Sequence, residues 1–188
     1  MFNVRKPDTF LTDDPYQRTR KMVFIAMLVG LSMVLSYLER LLPLSFTVPG
    51  IKLGLANLVI LAGMYLLTFR QVLALVLLKC FMTAWMFGSF SAFLYSVSGS
   101  LLSFCLMSIL LYGSRFKLNI IAVSVTGALG HNLGQILVAA AVIKSAKIFY
   151  YAPVLALAGV VTGMIIGFCV RSFLGYVSEY KEKTWKFK

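Results

Sequence analysis

Lys79, His131, Asn132 and Gln135 stand inside long apolar stretches of the chain. Ionisable and amide side chains at such depth are costly, and are usually paired or functional. His131 and Gln135 are four positions apart and share a helix face. Asn132 is turned about 100° from His131 by the helical period. Asn57 and Tyr95 lie in two further apolar stretches; Lys52 sits at the start of the one that holds Asn57, and Glu39 near the end of the first. Lys52 and Lys79 are point-charge donors. Asn57, Asn132 and Gln135 donate and accept, and His131 donates in either protonation state. Such a set suits an anion. Plainer readings stand beside it: Lys79 snorkels or pairs with Glu39, and His131 is a hydrogen-bonded packing residue.

The missing chemistry narrows the function. The chain has no P-loop, so it does not hydrolyse ATP by that route. It has no DDxxD-type pair, and Asp13-Asp14 is an isolated dipeptide. Handling a diphosphate through magnesium needs several carboxylates, and the apolar region offers Glu39 alone. No Ser-His-acid or Cys-His set can be assembled. Cys80, Cys105 and Cys169 all lie in apolar stretches without CxxC or metal-ligand spacing. No cofactor is expected.

The elements that must position these groups are membrane helices. Of 188 residues, 60% are hydrophobic and 13% charged, and the mean hydropathy is +0.89. A soluble domain is nearer half apolar and about a quarter charged. Apolar runs extend over 22–42, 53–69, 72–87, 92–112, 120–143 and 153–174. Six spans of about 20 residues fill the chain as one domain. The expected fold is therefore all-α, a bundle of six transmembrane helices over 22–174. Tails 1–21 and 175–188 flank it, and the first lacks the pattern of a secretory signal. The segment 42–50, with two prolines and a glycine, is a poor helix. Pro153 suits a first helical turn.

Loop charge sets the orientation. With the N-terminus inside, one set of connections and tails holds Arg5, Lys6, Arg18, Arg20, Lys21, Arg70, Arg115, Lys117, Arg171, Lys181, Lys183, Lys186 and Lys188; the other holds Arg40, Lys52, Lys144 and Lys147. The positive-inside rule then places both termini in the cytoplasm, and the plasma membrane is the expected location. The net charge of +12 reflects this bias rather than a nucleic-acid partner. On this topology Asn57, Tyr95, Asn132 and Gln135 fall in the outer half or at the midplane, near the outward N-terminus of the second helix, whose dipole favours an anion. The expectation is a pocket open to the outside, gated by loops 43–50 and 144–152.

Small residues recur four apart: Gly159, Gly163 and Gly167 in the sixth run, Gly130 and Gly134 in the fifth, Ala26 and Gly30 in the first. Such stripes let helices approach closely. Packing within the bundle is the favoured reading for the fifth and sixth runs. Docking of a partner membrane protein competes with packing for the first.

The strings Pro49-Gly50-Ile51-Lys52-Leu53-Gly54-Leu55-Ala56-Asn57 and Gly130-His131-Asn132-Leu133-Gly134-Gln135, with Phe93-Leu94-Tyr95-Ser96 and Tyr150-Tyr151, resemble the family labelled heptaprenyl diphosphate synthase component I, also called Gx transporter. The resemblance covers about residues 22–175. That family in turn resembles the S components of energy-coupling factor (ECF) transporters. It implies a six-helix S-component-like bundle and a vitamin-like substrate taken from outside. Ala26 and Gly30 would dock a transmembrane coupling subunit working with two ATPases. The label adds a quinone or isoprenoid precursor as a substrate class.

Two functions follow. In the first, the chain is a non-enzymatic binding subunit of a transporter, with Lys52, Asn57, Lys79, Tyr95, His131, Asn132 and Gln135 around the substrate. In the second, it is a non-catalytic membrane subunit assisting a polyprenyl diphosphate synthase, menaquinone biosynthesis or an electron-transfer complex. A carrier working alone with His131 as proton relay is disfavoured, because no carboxylate stands at mid-membrane.

Overall fold

The structure is a computed structural model that describes residues 15–41, 54–87, 90–113 and 118–185. Lys52, loop 43–50 and residues 1–14 and 186–188 lie outside the described residues. The described residues form six helices and no strand: α1 Pro15–Leu41, α2 Leu55–Leu66, α3 Phe69–Phe87, α4 Phe90–Ser108, α5 Ile120–Ile143 and α6 Ala152–Trp185. α4 runs on into a π-helical turn, Ile109–Gly113, and a 3₁₀ turn, Ala146–Tyr151, precedes α6.

Local chemistry fixes several boundaries. Asn119 caps α5, its Oδ1 accepting the Ile121 N–H at 3.3 Å. Lys144 ends the same helix in the left-handed conformation, φ 52°. Pro153 falls in the first turn of α6 as expected. The α2–α3 boundary differs from the sequence reading. α2 stops at Leu66 and α3 begins at Phe69, three residues before the expected Val72. Thr68 opens α3: its carbonyl accepts the Val72 N–H, and its own N–H donates to Gln71 Oε1, both at 3.0 Å. This is one arm of a capping box. α1 starts at Pro15, inside the segment expected as tail, and α6 continues past Leu174 to Trp185.

Among the described residues, five helical stretches are long and apolar enough to cross a bilayer: Arg18–Glu39, Phe69–Met86, Phe93–Gly113, Ile120–Ile143 and Lys147–Val177. α2, at 12 residues, rises only about 18 Å. Its place explains its length. α1 packs on α3, α3 on α4, α4 on α5, α5 on α6 and α6 on α2, which returns to α1 and also touches α3 and α5. α2 thus fills the gap between α6 and α1 and reaches into the middle of the bundle. Val59, Ile60, Leu61 and Met64 are buried there with Val72, Val76, Phe104, Val123 and Val170. A helix apolar on every face belongs in such a position. The outer faces of the ring are apolar too, with Met27, Leu31, Val34, Leu157 and Phe168 exposed, as lipid contact requires.

Glycines set the helix spacing. A Cβ on Gly134 of α5 would lie 2.6 Å from the Ser98 carbonyl oxygen of α4. On α6, one on Gly163 would lie 2.7 Å from Val125 Cα, and one on Gly167 2.8 Å from Ile121 Cα. The stripes of α5 and α6 therefore pack the bundle internally. Gly30 of α1 differs: a Cβ there meets nothing within 4 Å.

Candidate functional site

Several buried polar groups lie in the half of the bundle that holds the end of α1 and the start of α2. Glu39, 8% exposed, sits near the end of α1. Its Oε1 accepts the Gly54 N–H at 2.6 Å. Gly54 is the N-cap of α2, and its φ of 73° is one that glycine adopts without strain. The expected free positive helix end therefore already carries a carboxylate from the protein itself. Asn57 follows in the first turn of α2, and its backbone N–H donates to the Gly54 carbonyl at 2.7 Å. Its Oδ1 is buried without a hydrogen-bond partner among the described residues.

Lys79 lies midway along α3 and is 4% exposed. Its Nζ donates to Ser100 Oγ of α4 at 3.3 Å. Its head is buried, so snorkelling to the surface does not describe it. One turn further along the same face, Thr83 is buried with Oγ1 unpartnered among the described residues. A second α3–α4 contact lies beside the first, where Ser96 Oγ donates to Cys80 Sγ at 3.6 Å.

On the other side of α4, His131 packs over Gly99. A Cβ on Gly99 would meet His131 Nδ1 at 2.8 Å. The Gln135 amide lies 3.1 Å from His131 Nε2. With the amide nitrogen as donor, Nε2 accepts and the ring proton sits on Nδ1. Gln135 Oε1 is buried and has no hydrogen-bond partner among the described residues. Asn132 points elsewhere: its Nδ2 donates to the Leu155 carbonyl of α6 at 2.8 Å. Tyr95 is half-buried on α4, where its carbonyl accepts from Ser98 Oγ at 3.2 Å. Ala26 and Gly30 are both exposed on α1.

The expected residues therefore fall into distinct pairings. Lys79 faces Ser100, His131 faces Gln135 and Gly99, and Asn132 bridges two helices. Sequence reasoning missed Ser100, Thr83, Gly99 and the capping role of Glu39. Serine, threonine and glycine inside apolar runs read as packing residues, so only the fold shows that they face Lys79 and His131. A cleft of about 660 Å³ lies at the opposite end, lined by Leu67, Phe69, Ser108, Ile109 and Tyr112 among others.

Buried ionisable and amide groups inside a ring of bilayer-length apolar helices define a multi-pass helical membrane protein. The chain belongs to the heptaprenyl diphosphate synthase component I family, whose match covers residues 28–173. Neither the curated proteins nor the solved structures give a match.

Proposed function

We propose that the chain is the membrane-embedded binding subunit of an ECF-type transporter and not itself an enzyme. It crosses the plasma membrane six times, α2 included, with both termini in the cytoplasm. It takes up a small anionic or amphipathic molecule, vitamin-like or a quinone or isoprenoid precursor, from the outer face. One observation carries this reading. Asn57 Oδ1, Thr83 Oγ1 and Gln135 Oε1 are buried without partners among the described residues, in the half of the bundle that also buries Lys79. Unsatisfied polar atoms are rare inside proteins, and each calls for a reason. A polar ligand supplies one. Lys79 would attract its negative charge, and Asn57 and Gln135 would orient it. Lys52, Tyr95, His131 and Asn132 complete the proposed set, Asn132 by holding α6 in place.

Docking on α1 fits the same reading. Ala26 and Gly30 are exposed, with open space over Gly30, so another helix can approach closely there. A transmembrane coupling subunit would dock on this stripe, with partner ATPases supplying energy. The family match favours a second reading, in which the chain is the non-catalytic partner of a prenyl diphosphate synthase. Affinity purification from native membranes in mild detergent separates the two. Recovery of a coupling subunit with ATPases is expected. Recovery of a prenyl synthase subunit instead would replace the first reading with the second.

A further inference from the structure

The cleft at the far end of the bundle lies away from the groups just described, and what it binds does not depend on the reading above. Its walls are Leu67 and Thr68 of the α2–α3 turn, Phe69 of α3, and Ser108, Ile109 and Tyr112 at the end of α4. The Phe69 ring stacks with Phe104 at a centroid distance of 5.0 Å and meets Tyr112 edge-on at 6.1 Å. The lining is mostly apolar, and it opens sideways, because Ile109 is 65% exposed and Cys105 is exposed beside it. At about 660 Å³ it falls within the roughly 300–1,000 Å³ typical of small-ligand sites.

Two features are out of place in a groove meant only for lipid tails. Ser108, 8% exposed, lines the cleft, and its Oγ has no hydrogen-bond partner among the described residues; the same holds for Thr68 Oγ1. The second feature is charge. α3 begins at this wall, and the first N–H groups of a helix lack intrahelical partners. Arg70, exposed in that first turn, adds a full positive charge where the helix dipole already favours an anion. The backbone adds a third mark, since the wall includes the π-helical turn Ile109–Gly113, a form found often at functional sites.

We propose that this cleft binds a single-chain anionic amphiphile entering sideways from the bilayer. The chain lies along Leu67, Phe69 and Ile109. The phosphate or carboxylate head sits at the first turn of α3, within reach of Arg70 and hydrogen-bonded by Ser108 or Thr68.

The test uses the full protein in phosphatidylcholine nanodiscs with hexadecyl phosphate carrying a diazirine in its chain. The matching diazirine alcohol serves as the uncharged probe. Adducts are mapped by peptide mass spectrometry. The phosphate probe is expected to label residues 105–113 above the rest of the bundle. Its yield there should fall roughly five-fold in Arg70→Gln, the scale of a charge interaction at a helix terminus, and should also fall in Ser108→Ala. Unlabelled hexadecyl phosphate should compete, and diacyl phosphatidic acid and inorganic phosphate should not. Equal labelling by the alcohol, or unchanged yield in Arg70→Gln, would make the cleft a lipid-filled groove and overturn the proposal. Competition by phosphatidic acid would assign it to bulk lipid, and competition by inorganic phosphate to a free anion; either also overturns it. The competition arm uses the unaltered protein, so it decides even where a variant folds poorly.

Discussion

Lys79 and Asn132 look alike in the sequence, as polar residues inside apolar runs, but the fold uses them differently. Asn132 spends its amide on the Leu155 carbonyl. Interhelical hydrogen bonds in membranes are worth about 0.6 to 2 kcal/mol. Asn132→Ala should lower the stability of the detergent-solubilised protein by about 1 kcal/mol, read as a lower melting midpoint. Lys79 contributes the opposite sign. A buried charge without an ion-pair partner is costly to keep, so an apolar side chain of similar volume in its place removes a desolvation penalty. Lys79→Met should therefore melt at the same temperature as the unaltered protein or above it, while losing its small-molecule ligand. A clear drop in midpoint would show that Lys79 holds the bundle together. The residue types alone do not separate these roles, because the partner of Asn132 is a backbone carbonyl 23 positions away. Glu39 was legible as an end-of-helix acid, but its bond to Gly54 depends on how α1 and α2 meet.

The helices were legible in proportion to their length and the clarity of their ends. α5 matches its apolar run at both ends, because Asn119 and Lys144 mark them. The α2–α3 junction was misread. The apolar run continues through Leu66-Leu67 to Phe69 and stops at Arg70. The true signal is Thr68-Phe69-Arg70-Gln71, whose ends carry the capping-box types. Burial of α2 on all sides was not legible, since a short apolar run looks the same in lipid and in a core. The glycine stripes give a paired prediction at this scale. Gly134→Ala forces a Cβ onto the Ser98 carbonyl and should destabilise by about 1–3 kcal/mol, as overpacking does. Gly30→Ala meets open space and should leave the melting midpoint of the isolated chain unchanged. Loss of partner co-purification in Gly30→Leu, with the midpoint preserved, would support docking on α1; full retention would remove that role.

At the scale of the whole molecule, apolar helices surround a half of the bundle that buries polar groups. Orientation can be read by proteolysis of right-side-out vesicles. Trypsin added outside is expected to cut at Lys144 or Lys147, exposed between α5 and α6, and to spare Arg18, Arg20 and Lys21 on α1. Cleavage confined to the α1 sites would invert the topology and put the candidate site on the cytoplasmic side. The central claim is that the buried polar half holds a small anionic molecule. Its most direct test is native mass spectrometry of the gently extracted protein, with Lys79→Met run beside it. The expected result is a bound small anion on the unaltered chain and an equally folded Lys79→Met chain without it. The same molecule retained by both chains would contradict the assignment of Lys79 to the site. A bare unaltered chain carrying a synthase subunit would contradict the transporter reading as a whole.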